Sequence, residues 1–182
     1  MSVLKVARLG HPVLRRVADP VPPEAIASAE IQRLVDDLIE TMIEYDGAGL
    51  AAPQVHVPKQ VVVFEVDDNP RYPNAADVPL TVLINPKITP VTLEMAEDWE
   101  GCLSVPGLRG RVPRHTSVRV EARDRAGRKL EYVARDFHAR VVQHECDHLF
   151  GKVFLDRMAS LASLTFLEEF GRYHGGDAAG RD

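Results

Sequence analysis

Cysteine is scarce, with two in 182 residues. Two thiols make no disulfide framework, so each is read as a free thiol or a metal ligand in a reducing setting. Positive charge is in deficit. Lys and Arg number 22 against 27 Asp and Glu, a net charge of −5, so the surface as a whole is not a nucleic-acid footprint. No apolar run approaches the ~18 residues that a membrane helix needs. The opening MSVLKVARLGHP lacks the long apolar core of a signal peptide and the features of a transit peptide. There is no internal repeat and no low-complexity core. These absences exclude collagen, coiled coil, membrane span, secreted knot and full-length disorder.

The composition that remains, 45% hydrophobic and 27% charged, is that of an ordinary globular chain. At roughly 150 residues per domain, the length predicts a single domain over residues 1–170 and a flexible tail over 171–182. Gly10, Pro12, Pro20, Pro22 and Pro23 mark an irregular entry segment. Ile31, Leu34, Val35, Leu38, Ile39, Met42 and Ile43 recur at helical spacing and predict a helix from Ser28 to Tyr45, with Ser28 as N-cap and Gly47 as stop. QVVVFEV (60–66) and LTVLINP (80–86) read as strands around a polar, proline-broken surface loop. SVRVEARD and KLEYVAR alternate about a turn and predict a hairpin. A second helix is expected over Phe137–Phe150, capped by Asp136 and stopped by Gly151, and a third over Leu161–Phe170. Helices flanking a block of hairpins, without β-α-β alternation, give an α+β fold. Its strands would be mostly antiparallel, packed around a central buried helix, with N-terminal and C-terminal helices.

That second helix carries the pattern H-E-x-x-H as His144-Glu145-Cys146-Asp147-His148. Residues four apart lie about 40° from each other around a helix, so both imidazoles can reach one ion. Glu145 projects beside them, placed to take a proton from water. Phe137, Val141, Val142, Leu149 and Phe150 make the helix apolar on several sides, and two histidines with a glutamate are costly to bury unsatisfied. A catalytic site of this kind wants a third ligand. The position of a metzincin-type third histidine holds Phe154. Glu168 is a candidate for a thermolysin-like site, and Cys102 is a soft candidate whose alternative role is core packing. Cys146 sits about 200° from either histidine and reads as packing.

Three segments in order, GAGLAAPQ (47–54), EGCLS (100–104) and QHECDH (143–148), look like the signature motifs of the peptide deformylases. Weaker matches in VPGLRGRVPR and FHARVV extend the resemblance over most of residues 1–160. It implies a metal-dependent hydrolase that removes formyl from the N-terminal methionine of new polypeptides and releases formate, with 1–170 as the catalytic domain. It implies Cys102, His144 and His148 as metal ligands and Glu145 as general acid/base. The Gln54 side chain and the Leu103 backbone N–H would face the oxyanion, and Gly49 and Gly101 would admit the peptide backbone. Glu100 and Arg114 resemble a supporting ion pair. One divalent ion per chain is expected, Fe2+ by resemblance, with Zn2+, Ni2+ or Co2+ as substitutes. Phe137 and Val141 are candidate walls for the methionine side chain.

Ala48 stands where the family often carries a branched residue, so the pocket rim is expected to be wider. His56 is assigned no role. The implied partners are N-formylmethionyl nascent peptides and, transiently, the ribosome, with no membrane and no DNA; the tail is not basic, which weakens the ribosome contact. A bacterial-type cytoplasm is expected, or an organelle whose import signal has been removed. Two other readings are a metalloprotease using Glu168 and an RNA- or ribosome-binding module. The second would use Arg109, Arg111, Arg114, Arg119, Arg123, Arg125 and Arg128, a stretch in which Glu121 and Asp124 interleave. A third is a homologue that binds metal without turnover, against which the intact Glu145 and Gln54 argue.

Overall fold

A computed structural model describes residues 2–67 and 77–174. Three helices and eight strands occur among them: α1 (Ala29–Glu44), β1 (Gly49–Ala51), β2 (Val61–Val66), β3 (Val78–Pro90), β4 (Met95–Cys102), β5 (Val105–His115), β6 (Ser117–Arg123), β7 (Lys129–Arg135), α2 (Asp136–Leu149), β8 (Thr165–Phe166) and α3 (Leu167–Tyr173). Every strand pairing is antiparallel. One sheet runs β1-β2-β3-β6-β7 and a second runs β4-β5-β8. The class is α+β, as expected.

The unbroken apolar run of β2 explains how the layers sit. Alternate residues of a strand face opposite ways. Val61 and Val63 meet Ile31, Val35, Leu38 and Met42 of α1, whereas Val62 and Phe64 meet Ala139, Val142, Cys146 and Leu149 of α2. A strand covered on both faces has no polar side to show, so its sequence does not alternate.

The expected first helix forms with its cap: Ser28 Oγ accepts from the Ile31 N–H at 3.3 Å. Ile43, counted on the apolar face, is instead 60% exposed. The hairpin of β6 and β7 pairs in full from Ser117–Arg135 to Arg123–Lys129. At α2 the capping expectation is corrected. Asp136 is the first helical residue, and Arg135 is the N-cap without a side-chain bond. Gly151 does end α2. Its φ of +70° allows Gly151 N–H to reach His148 O and Lys152 N–H to reach Asp147 O at 3.0 Å, which satisfies the last carbonyls. Phe150, expected to be buried, is 48% exposed.

The third helix is also corrected. Leu161–Ser163 make a single 3-10 turn, and Thr165–Phe166 pair with Arg109 and Leu108 of β5. Helix resumes only at Leu167 and runs past Gly171, so the first residues of the expected tail are ordered. Pairing to an available sheet edge has taken residues that helical spacing alone would claim. The loop expected over 67–79 falls at 68–76 outside the described residues, as does the tail from 175 onward.

Candidate metal centre

Three elements converge on one point. α2 brings His144, Glu145 and His148, the end of β4 brings Cys102, and a 3-10 turn over Ala52–Val55, directly after β1, brings Gln54. One donor atom from each of Cys102, His144 and His148 lies within 4.8 Å of the others. Cys102 Sγ is 3.3 Å from His148 Nε2. The edge of a tetrahedron with a ~2.3 Å metal–sulfur and a ~2.05 Å metal–nitrogen bond is about 3.5 Å, so this pair stands near the separation a shared ion requires. Glu168, the other candidate for third ligand, is exposed on α3 and outside this group.

The surroundings orient the donors. His144 Nδ1 meets Glu100 Oε2 at 2.9 Å, which leaves its other ring nitrogen for a ligand role. Glu100 accepts from Arg114 Nε at 2.9 Å and Nη2 at 3.0 Å, and from Arg140 Nη1 at 2.8 Å. Arg114 bridges onward to Asp147, which Arg157 also holds. Burial alone would raise the Glu100 carboxyl, but the charge of Arg114 and hydrogen bonds from His144 and Arg114 hold it well below the usual carboxylate range. A carboxylate favoured in its charged form is thus held behind His144.

Cys102 follows the same logic. Burial disfavours its thiolate, yet the positive field of His148 and hydrogen bonds from His144 and His148 bring its pKa well below a free thiol. Burial pushes Cys146 the other way, and nearby Glu145 and Asp147 add to it. One cysteine is therefore ready to bind a cation and the other is inert packing in the core with Leu149 and Val142. A soft, readily ionised thiolate with two imidazoles suits a Zn- or Fe-type ion.

Glu145 is buried, and its Oε2 has no hydrogen-bond partner among the described residues. Burial raises its carboxyl to about 6, against the pull of His144 and His148 and with help from Cys102 and Glu100. A carboxyl near neutrality with a free oxygen beside the donors can exchange a proton. Gln54 is fixed for a different task. Its Oε1 accepts from Ala51 N–H at 2.8 Å, while Nε2 points to Ser104 Oγ at 3.2 Å and to Cys102 Sγ at 3.5 Å.

A cavity opens at this point. Gly49, Gln54, Gly101, Cys102, Leu103, His144 and Glu145 line it together, with Ala48 at half burial, and Phe137, Val141 and Trp99 form further wall. Gly49 has a second reason to be glycine: a Cβ there would come within 2.5 Å of Glu145 Oε1. Sequence reasoning missed Trp99, Ser104, Arg140 and Asp147. Trp99 precedes Glu100 and Ser104 lies two residues after Cys102, but proximity in sequence could not show what they touch. His56 is exposed.

The arginines of 109–128 turn inward or pair within the chain. Arg114 is buried on Glu100, and Arg109 lies over Phe170. Arg111, Arg119, Arg125 and Arg128 pair with Glu97, Glu131, Asp36 and Asp124, and Arg123 donates to Gly127 O.

Known proteins share this architecture. The family model of polypeptide deformylases matches residues 3–163. The chain is 46% identical to peptide deformylase 2 of Pseudomonas syringae pv. tomato, over 91% of this chain and 93% of that one. It is 49% identical to peptide deformylase 1 of Bordetella pertussis, over 90% and 92%. Among solved structures, the Met-Ala-Ser-bound class I type b peptide deformylase of Acinetobacter baumannii superposes with a TM-score of 0.83 at 41% identity, covering 86% of this chain and 99% of that one.

Proposed function

Since the chain belongs to the polypeptide deformylase family, whose members remove the N-formyl group from nascent peptides, we propose that Cys102, His144 and His148 hold the single catalytic metal of this enzyme and that Glu145, Gln54 and Leu103 carry out the hydrolysis around it. We take residues 1–170 as the catalytic domain, with α2 as its centrepiece. The substrate is a formyl-methionyl peptide, and the products are formate and a free N-terminus. The observation that carries the assignment is the meeting of the Cys102 sulfur with His144 and His148, on elements that the chain brings together from 42 residues apart and more.

A divalent ion in this site supplies a Lewis acid and lowers the pKa of water from 15.7 to about 7. Glu145 takes the proton of the attacking water and returns it to the departing amine, a role suited to a carboxyl raised toward neutrality. Gln54 Nε2 and the Leu103 N–H are the donors for the oxyanion. Gln54 is pre-aligned through Ala51 and Ser104, so little reorganisation is needed at the moment of reaction. Gly49 and Gly101 leave room for the peptide backbone, and the methionine side chain enters between Phe137 and Val141. One sulfur and two nitrogens suit Zn2+ or Fe2+ alike; the assignment of Fe2+ as the native ion, with Zn2+, Ni2+ or Co2+ able to substitute, rests on the family resemblance. The bacterial relatives support a cytoplasmic setting; among the described residues no helix is long and apolar enough to cross a membrane. A transient ribosome contact fits the nascent substrate.

The test combines formate release from formyl-Met-Ala-Ser with elemental analysis of protein loaded with iron anaerobically. Wild type and Glu168→Ala should carry one metal and turn over, whereas Cys102→Ala should carry none. Full metal content in Cys102→Ala, or a loaded wild type without turnover, overturns the assignment.

A further inference from the structure

We propose that Trp99 forms a wall of the side-chain pocket whose position is set by the C-terminal helix α3, so that substrate binding and α3 docking stabilise each other; the inference rests on the deformylase reading above. Trp99 lines the cavity at the metal centre beside Phe137 and Val141. Its ring also meets α3: Phe170 approaches edge-on at 5.0 Å between ring centroids and 72° between planes, and His174 lies at 5.0 Å and 40°. The guanidinium of Arg109 covers Phe170, 4.9 Å from the ring centroid.

α3 has only seven residues, far too few to hold itself as a helix in water. Phe170 is its one buried side chain, whereas Leu167 and Tyr173 are 49% and 73% exposed. Together with the two-residue pairing of β8, the Trp99–Phe170–Arg109 stack fastens the segment. A methionine side chain filling the cavity packs against the indole and restricts it. An indole so restricted offers Phe170 and His174 a fixed partner, and coupling between two binding events acts equally in both directions.

Trp99 is the only tryptophan of the chain, so its emission reports on the pocket without labelling. With the full metal-loaded chain, titration of the product peptide Met-Ala-Ser should give a saturable change in tryptophan emission. Saturation should also slow amide hydrogen exchange over residues 165–173. Phe170→Ala should raise KM for formyl-Met-Ala-Ser about fivefold or more with kcat unchanged. Phe170→Tyr should restore the wild-type value, and Phe166→Ala, at a 68% exposed position, should leave it alone. Unchanged exchange over 165–173 at saturation, or a wild-type KM in Phe170→Ala, overturns the inference. Should Phe170→Ala fail to fold, the wild-type exchange experiment decides by itself. A wild type that releases no formate would sink the deformylase reading instead, while the response of Trp99 to Met-Ala-Ser still tests this coupling.

Discussion

Gly49 shows how one missing methyl group can support a site. The obvious use of a glycine beside a peptide-binding strand is to let the substrate approach. The structure adds a second constraint, because the space of its Cβ is taken by the buried carboxylate of Glu145. The backbone of Glu145 is fixed in buried α2, so a Cβ at position 49 can be accommodated only by swinging the Glu145 carboxylate away from its present place. Gly49→Ala should therefore displace the proposed general base while leaving the proposed ligands in place. A misplacement of about 1 Å can cost on the order of 10²-fold in rate. Steady-state kinetics should show a kcat/KM loss of about that size, with metal content by elemental analysis unchanged. Wild-type kinetics in this variant would mean that Glu145 does not need its present position.

At the scale of elements, the end of α2 matters because His148 lies in its last turn. The left-handed conformation of Gly151 closes that turn onto the carbonyls of Asp147 and His148. A Cβ at Gly151 would also come within 2.5 Å of Arg15 O. The left-handed backbone alone costs an L-residue about 1–2 kcal/mol, and the clash adds to it. Gly151→Ala should lower the urea midpoint by at least that equivalent and loosen metal retention, since fraying begins next to His148, a proposed ligand. A variant as stable as wild type would show that the segment relaxes away from Arg15 at no cost.

The whole molecule responds to acid through groups held far from their free behaviour. Burial lowers the pKa of His138 below its ordinary 6.5, so the folded state prefers the neutral ring. That preference counts fully above pH 6.5 and is lost as pH falls below it, because the unfolded chain takes up the proton first. A second window lies lower. Burial opposes the charged form of Asp147, but hydrogen bonds from Arg157 and Arg114, with the charge of Arg114, keep its pKa below the ordinary value. Its contribution is present above about pH 4 and lost as pH falls through the folded value. In urea denaturation the wild type should lose more stability, or gain less, between pH 7.5 and 5.5 than His138→Gln does. An equal pH dependence in the variant would exclude His138 as the group responsible.

The sequence by itself determined the chemistry on offer. Helical spacing put two histidines on one face, β-branched runs and turn residues placed β2, β6 and β7, and the ordered trio of motifs pointed to Cys102 before any contact was known. These features are local, or depend only on order along the chain, and local periodicity survives in a linear text. The acidic, solvent-facing residues of β4 and the prolines and glycines of β5 hid a long hairpin, because neither strand reads as one without its partner. The pairing that shortened the third helix, the two arginines on Glu100 and the aromatic stack joining α3 to the pocket wall are contacts between distant segments. Only the tertiary structure decided them, since sequence spacing sets which way a residue faces but not what packing brings against it.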